Sequence, residues 1–149
     1  MAMMRKNQVC AIAALAAAFL GACSSQVEIS SLPDGQYSGK SAVESDGSYG
    51  VIEFDVSAGQ VTKAHFTAYD ADGTPHNENY GLGADGKPHD ATFYQRAQNA
   101  IAAEKKYVEQ FAEVSDHTAV DSIAGASVSY RMFQSAVENA ISSAQTSRP

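Results

Sequence analysis

Residues 49–69 read YGVIEFDVSAGQVTKAHFTAY and contain two strand patterns separated by a turn. Apolar and polar residues alternate over residues 49–56 and again over residues 61–69, which is typical of strands with one buried face. Residues 57–60 include a glycine between the two patterns and predict a hairpin loop. The side chains expected on the buried face are Ile52, Phe54, Val56, Ala64, Phe66 and Ala68.

The regions on either side of the hairpin complete the predicted fold. Asp34-Gly35 is a turn pattern leading into a third strand at residues 36–40, and residues 70–90 are a long polar loop. Apolar residues then recur at helical spacing over residues 93–111 and 129–143. Strands followed by helices predict an α+β domain, in which two C-terminal helices cover one face of a small antiparallel sheet in the N-terminal half.

The N-terminus has the pattern of a secretory signal. Arg5 and Lys6 precede an apolar run at residues 9–22, which is shorter than the ~20 residues that a membrane-spanning helix needs. The run ends in LGAC at residues 20–23, which resembles the bacterial lipobox. That resemblance implies cleavage after residue 22 and lipidation of Cys23. A buried alanine-rich helix with an incidental cysteine is the alternative.

The domain organisation and charge follow from this interpretation. We expect a signal peptide at 1–22, a lipidated Cys23 with a polar linker to residue 33, one domain at 34–144 and a polar tail at 145–149. Cys10 leaves with the signal peptide, so no disulfide is expected. The ten basic residues fall to eight without Arg5 and Lys6, against seventeen acidic residues, so the formal charge becomes −9. That charge argues against nucleic acid as a partner.

Three motif patterns in the mature chain are weak. Residues 81–86 match GxGxxG, but a polar loop precedes them and Lys87-Pro88 follows, whereas a dinucleotide site needs a strand before the motif and a helix after it. Asp70-Ala71-Asp72-Gly73 lacks the spacing of a calcium loop. No two of the four histidines have helical ligand spacing, so no metal site is predicted.

Residues 120–130, VDSIAGASVSY, place hydroxyl groups among small residues immediately before a helix. A helix start offers unpaired N–H groups and a partial positive charge, which suit a phosphate. Gly125 and Ala126 leave room for a bulky group to approach the chain. Alternatively, Ser127 or Ser129 simply caps the last helix.

This segment resembles the flavinylation motif of the FMN-binding domain family, in which an Asp is followed after three residues by Gly-Ala-Thr or Gly-Ala-Ser. Residues 34–39, DGQYSG, and 59–64, GQVTKA, also resemble the family's opening and its hairpin. Residues 69–73 and 129–133 look like its lipoprotein branch, which is linked to extracellular electron transfer. The likeness covers roughly residues 34–144 in order.

The resemblance implies FMN as cofactor, attached through a phosphoester to Ser127 by a flavin transferase. Asp121, Gly125 and Ala126 would form the recognition motif, with Ser129 and Tyr130 nearby; Tyr69, Tyr80 or Tyr130 could stack on the flavin ring. The implied function is an electron carrier rather than an enzyme, anchored by lipid on the extracytoplasmic face of the cell envelope and exchanging electrons with redox partner proteins. The alternatives are a cofactor-free envelope lipoprotein and an electron-accepting domain that feeds a separate reductase.

Overall fold

The predicted hairpin is the centre of a three-stranded sheet. A computed structural model describes residues 28–146 and places β1 at Gly35–Lys40, β2 at Tyr49–Ser57 and β3 at Gln60–Tyr69. The strands pair antiparallel in the order β1-β2-β3, with Tyr37 opposite Phe54 and Ile52 opposite Phe66. Ala58 and Gly59 connect β2 to β3, and both have positive φ, as a two-residue hairpin turn requires. The predicted three-stranded antiparallel sheet is confirmed.

Two long helices follow the sheet and cover one of its faces. α1 spans Ala91–Val114 and α2 spans Ser127–Thr146, with a short 3-10 helix at His117–Ala119 between them. α1 packs mainly on β3, whereas α2 packs on β1 and β2. The α+β class, with strands first and helices last, is therefore confirmed. Within residues 28–146, no helix is long and apolar enough to cross a membrane.

The core lies between the helices and the inward face of the sheet. Phe111 meets Phe54 and Phe133 edge to face, and Phe133 meets Phe66 in the same way. Such arrangements are the favourable ones for aromatic rings. The largest fully buried side chains are Tyr107, Phe111, Phe133, Ile52 and Val137.

Gly39 lets α2 approach β1 at backbone distance. A Cβ at this position would collide with the backbone oxygen of Ala136 and would lie 2.6 Å from the backbone nitrogen of Ala140. The side chain of Asn139 also donates a 2.8 Å hydrogen bond to the backbone oxygen of Lys40. The direction of α2 over the sheet is therefore fixed by main-chain contact.

The packed domain begins earlier than the predicted boundary at residue 34. A short 3-10 helix at Ile29–Ser31 precedes β1, and Ile29 and Leu32 are 2% and 5% exposed within the core. The linker prediction for residues 23–33 overlooked Ile29 and Leu32, because the stretch is mostly polar. The predicted signal peptide at 1–22, Cys23 and the last residues of the predicted tail lie outside the described residues.

The polar segment at residues 70–90 is a loop, as predicted. Asp70 and Gly73 close a tight turn, in which the Gly73 N–H donates a 2.9 Å hydrogen bond to the Asp70 carbonyl. Residues 81–86 also form turns rather than a strand-to-helix junction. α1 begins only at Ala91, after Asp90 caps it by accepting a hydrogen bond from the Phe93 N–H.

Candidate functional site

The predicted motif forms a surface turn immediately before α2. The N–H of Ala126 donates a 3.1 Å hydrogen bond to the carbonyl of Ile123, which closes a β-turn over residues 123–126. Gly125 is the third residue of this turn and has a φ of +82°, a conformation that favours glycine. A Cβ on Gly125 would meet nothing within 4 Å, so the outer side of the turn is open.

Ser127 is the first residue of α2 and is exposed. The carbonyl of Ala126 accepts the first helical hydrogen bond from the N–H of Tyr130, at 3.0 Å, so Ala126 occupies the capping position. Its methyl group cannot cap. The alternative role of Ser127 or Ser129 as a helix cap is therefore wrong, and the Ser127 hydroxyl is left at the surface.

The electrostatic surroundings of Ser127 suit an anion. α2 is 20 residues long, and its first turn contains no acidic residue. The partial positive charge of a helix N-terminus favours a negative group there. Arg131 lies one turn later on the same helix face and pairs with Glu44 at 2.7 Å. An exposed hydroxyl, an open turn and a helix start without carboxylates together fit a serine that carries a phosphate ester.

Three side chains hold the backbone of the motif from beneath. The Tyr107 hydroxyl accepts a hydrogen bond from the Ile123 N–H at 3.2 Å and donates one to the Ala126 carbonyl at 3.3 Å. Gln110 accepts from the N–H of Asp121 at 2.9 Å, and Tyr130 donates to the carbonyl of Val120 at 2.9 Å. All these bonds go to main-chain groups, so the side chains of Asp121 and Ser127 stay on the outside.

Ser129 faces the opposite way from Ser127. It is 6% exposed, and its hydroxyl donates a 2.8 Å hydrogen bond to the carboxylate of Glu104 on α1. Glu104 is itself 3% exposed and also accepts a hydrogen bond from the backbone of Ala68 on β3. Burial raises the pKa of the Glu104 carboxyl to about 7, although the two hydrogen bonds partly oppose this rise.

The structure thus divides the predicted site residues into two groups. Asp121, Gly125, Ala126 and Ser127 lie together in the turn and at the start of α2. The side chains of Ser129 and Tyr130, which were predicted to lie beside the cofactor, turn inward and have partners within the fold. Ser127 and Ser129 are two positions apart on α2 and do not share a helix face, which explains why Ser129 points inward. Tyr130, three positions after Ser127, is half-buried and turns its hydroxyl towards Val120.

The tyrosines proposed as flavin-stacking residues have partners elsewhere in the fold. Tyr130 meets Tyr107 edge to face at 5.4 Å, and Tyr69 stacks on Tyr49 at 5.3 Å. Tyr80 stacks on His76 at 3.6 Å and donates a hydrogen bond to Asp70. Burial, followed by the contact with the Asp70 carboxylate, raises the pKa of Tyr80 to about 12. Each of the three therefore has a packing role.

A cavity of about 620 Å³ lies between β3 and α1, away from the motif turn. Its walls include the apolar side chains of Phe66, Ile101 and Val108, with Glu104 and His76 among the polar ones. The volume is within the range of small-molecule sites.

Sequence reasoning missed the supporting roles of Glu104, Tyr107 and Gln110. Glu104 and Tyr107 lie on the apolar stripe of α1, and a carboxylate on such a stripe is a readable sign of a buried polar contact. Nothing in the sequence shows that the Tyr107 hydroxyl or the Gln110 amide reaches the motif. Those contacts form only because the chain reverses direction after α1, so that residues 115–126 lie beside it.

Comparison with known proteins identifies the family of the domain. Residues 47–142 match the family model of an FMN-binding domain, a range that includes the turn and Ser127. Among solved structures, the CPE2226 protein from Clostridium perfringens is similar, with a TM-score of 0.53 and 18% sequence identity over 78% of this chain and 92% of that chain. At this identity the likeness concerns the fold alone. Curated protein sequences give no match.

Proposed function

Because the chain belongs to the FMN-binding domain family, we propose that it is a lipid-anchored electron carrier whose FMN is linked covalently to Ser127. FMN is the cofactor, and the protein is a flavoprotein. The observation that carries the covalent link is the exposed Ser127 hydroxyl, at the first residue of α2 and directly after an open turn.

The attachment reaction uses the Ser127 hydroxyl as nucleophile and FAD as donor. The serine oxygen forms a bond to the phosphorus of the FMN half, the bond between the two phosphates of FAD breaks, AMP leaves, and the hydroxyl proton is released. The product is a phosphodiester with a negative charge at the N-terminus of α2. That charge would be favoured there, because a helix N-terminus carries a partial positive charge and its first turn offers N–H groups to an anion.

Bound FMN supplies the redox chemistry, and the protein supplies attachment and orientation. The residues around Ser127 bind and position; none is required to act as a general acid or base for a substrate. Because the flavin does the redox chemistry and the protein only holds it, we assign the protein a carrier role. The acidic surface, with a formal charge of −7 for the whole chain, favours basic redox partners.

Covalent attachment is tested by co-expressing the full chain with a flavin transferase and examining the denatured protein on a gel. Flavin fluorescence in the band is expected for wild type and for Ser122→Ala, which removes an exposed hydroxyl five residues earlier. Ser127→Ala should abolish it. Fluorescence that persists in Ser127→Ala but disappears in Ser129→Ala would place the link on the other serine.

The mode of binding is read from the native Ser127→Ala protein. A colourless variant supports the covalent site as the sole means of retaining FMN. A yellow variant whose colour is lost on denaturation would mean that FMN is held without a covalent bond. Adding Ile101→Trp would then test the 620 Å³ cavity as its site, since loss of the colour would place FMN there and retention would exclude it.

The lipid anchor is tested through Cys23. Labelled fatty acid should be incorporated into wild type and not into Cys23→Ser, and the variant should move from the membrane fraction to the soluble fraction. Cys10→Ser is the matched control, because it is expected to leave with the signal peptide. Lipid incorporation that is unchanged in Cys23→Ser would contradict the anchor.

The carrier role is tested with the flavin-loaded protein and redox dyes. We expect reversible reduction and reoxidation of one flavin per chain, without turnover of a bound substrate. A flavin that cannot exchange electrons with any mediator would contradict a carrier. An added metabolite that the loaded protein converts catalytically would instead make it an enzyme.

A further inference from the structure

The hydroxyl of Tyr107 joins both ends of the motif turn. Within the turn, the Ile123 carbonyl and the Ala126 N–H bond to each other. The two remaining main-chain groups at these ends, the Ile123 N–H and the Ala126 carbonyl, both bond to Tyr107 Oη, at 3.2 and 3.3 Å. A single side-chain oxygen therefore closes the base of the turn.

The same hydroxyl also contacts the start of α2. The Ala126 carbonyl accepts from both Tyr107 Oη and the Tyr130 N–H, and Ser127 is the next residue. Tyr107 is 0% exposed and belongs to the hydrophobic core on α1. The Tyr107 hydroxyl thus connects the residue before Ser127 to the packed core.

Packing alone gives no reason for an oxygen at this position. The Tyr107 ring meets Tyr130 and Phe133, contacts that a phenylalanine ring would make equally well. A buried hydroxyl is unfavourable unless it is hydrogen-bonded. Among the described residues, this hydroxyl bonds to Ile123 and Ala126. Its hydrogen bonds therefore stabilise the turn.

We propose that Tyr107 is a positioning residue for flavin attachment: its hydroxyl holds residues 123–126 in the conformation that a flavin transferase recognises. The inference rests on the proposed covalent link at Ser127. A turn that is already formed binds its enzyme without first being ordered, and a turn that is formed only part of the time binds more weakly by that fraction. The hydroxyl therefore acts on recognition rather than on the transfer step.

The test is the steady-state kinetics of flavin transfer to the unmodified full chain, comparing wild type with Tyr107→Phe. We expect KM for the protein substrate to rise about tenfold while kcat changes little, because bound enzyme restores the turn. Tyr37→Phe is the matched control, since it removes another tyrosine hydrogen bond to a backbone carbonyl, at Pro33, outside the motif. It should leave KM unchanged.

Amide hydrogen exchange of the unmodified protein gives a second measurement that does not involve flavin. The Ile123 amide should exchange about tenfold faster in Tyr107→Phe, with no change in Tyr37→Phe. Flavin transfer with an unchanged KM and unchanged Ile123 exchange would overturn the positioning role alone. An equal rise of KM in Tyr37→Phe would also overturn it, as a general stability effect. Absence of covalent flavin on wild type would overturn the proposed function and this role together.

Discussion

The hydroxyl of Ser129 lies 2.8 Å from the carboxylate of Glu104, and this bond joins the first turn of α2 to the middle of α1 inside the core. The same carboxylate accepts a hydrogen bond from the backbone of Ala68, so it connects both helices to β3. A structural role for Ser129 follows, in contrast to the exposed hydroxyl of Ser127 two residues earlier.

Ser129→Ala is expected to lower the free energy of unfolding by about 1–3 kcal/mol, because it removes one partner of a buried carboxyl. Flavin attachment at Ser127 should persist. Urea unfolding measures the loss, with Ser122→Ala as the exposed control that should stay within about 0.5 kcal/mol of wild type. A Ser129→Ala protein as stable as wild type would show that the Glu104 contact contributes nothing.

Glu104 should make stability fall as pH rises between about 4.5 and 7. Its pKa is raised from 4.5 to about 7 in the folded protein by burial, so over this window the folded chain binds more protons than the unfolded chain. The full effect is about 3 kcal/mol, present below the lower value and lost above the higher one. Urea unfolding at several pH values should show this slope in wild type and its loss in Glu104→Gln. An unchanged slope in the variant would contradict the raised pKa.

His117 should contribute in the opposite direction. It is 6% exposed, and its Nε2 has no hydrogen-bond partner among residues 28–146; the nearest carboxylate oxygen, on Glu138, is 3.8 Å away. Burial lowers the pKa of this histidine below 6.5, with the acidic neighbours opposing the shift. Stability that depends on neutral His117 is therefore present above pH 6.5 and lost as pH falls. His117→Gln should reduce the difference between unfolding at pH 7.5 and at pH 5, and a larger difference would contradict this account.

Gly39→Ala should destabilise the domain by roughly 3 kcal/mol or more, because the added methyl group meets the backbone of α2 rather than a movable side chain. Gly35→Ala, in the same strand, is the control: its Cβ would make only ordinary contact with the Tyr37 ring, at 3.9 Å. Thermal unfolding of the two variants distinguishes them. Equal melting temperatures would mean that α2 can move away from β1 at little cost.

Gly125→Ala tests conformation without a steric clash. The site is open, but a φ of +82° is unfavourable for alanine by about 1–2 kcal/mol. We expect the turn to change shape and the rate of flavin attachment to fall, with little change in the unfolding of the core. Gly86→Ala, at an equally open glycine with positive φ outside the motif, should leave attachment unchanged. Attachment as fast as in wild type would show that the turn geometry is not recognised.

The sequence predicted those parts of the molecule whose pattern is local. The alternation in residues 49–69 and the helical stripes fix the strands, the helices and the covered face, since each depends only on which side chains must be buried. The motif at residues 121–127 could be located for the same reason. Its exposure could not, because that depends on α2 beginning at Ser127 and not two residues later.

What local pattern does not contain is the pairing of distant polar groups. Glu104 meets Ser129 across 25 positions, and Tyr107 meets Ala126 across 19. These contacts arise when the chain turns back after Ser115, whose left-handed conformation ends α1. Ile29 and Leu32 were missed for a related reason. They lie in a mostly polar stretch, and they are buried only because the folded sheet and α1 pack against them.

The burial of Ile29 places the start of the described chain at one end of the sheet. The Ile29–Ser31 helix lies at the end of the sheet that carries the β2–β3 hairpin turn. There the backbone of Ser30 lies against Gly59, so that a Cβ at Gly59 would be 3.1 Å from the Ser30 oxygen. Ser127 lies towards the other end, where Ser129 and Glu104 meet Ala68. β3 has 10 residues and spans roughly 30 Å between these ends. Under the proposed function, the end of the domain nearer to the lipid anchor is therefore opposite the end that carries the flavin, and redox partners would reach the flavin on the side away from the anchor.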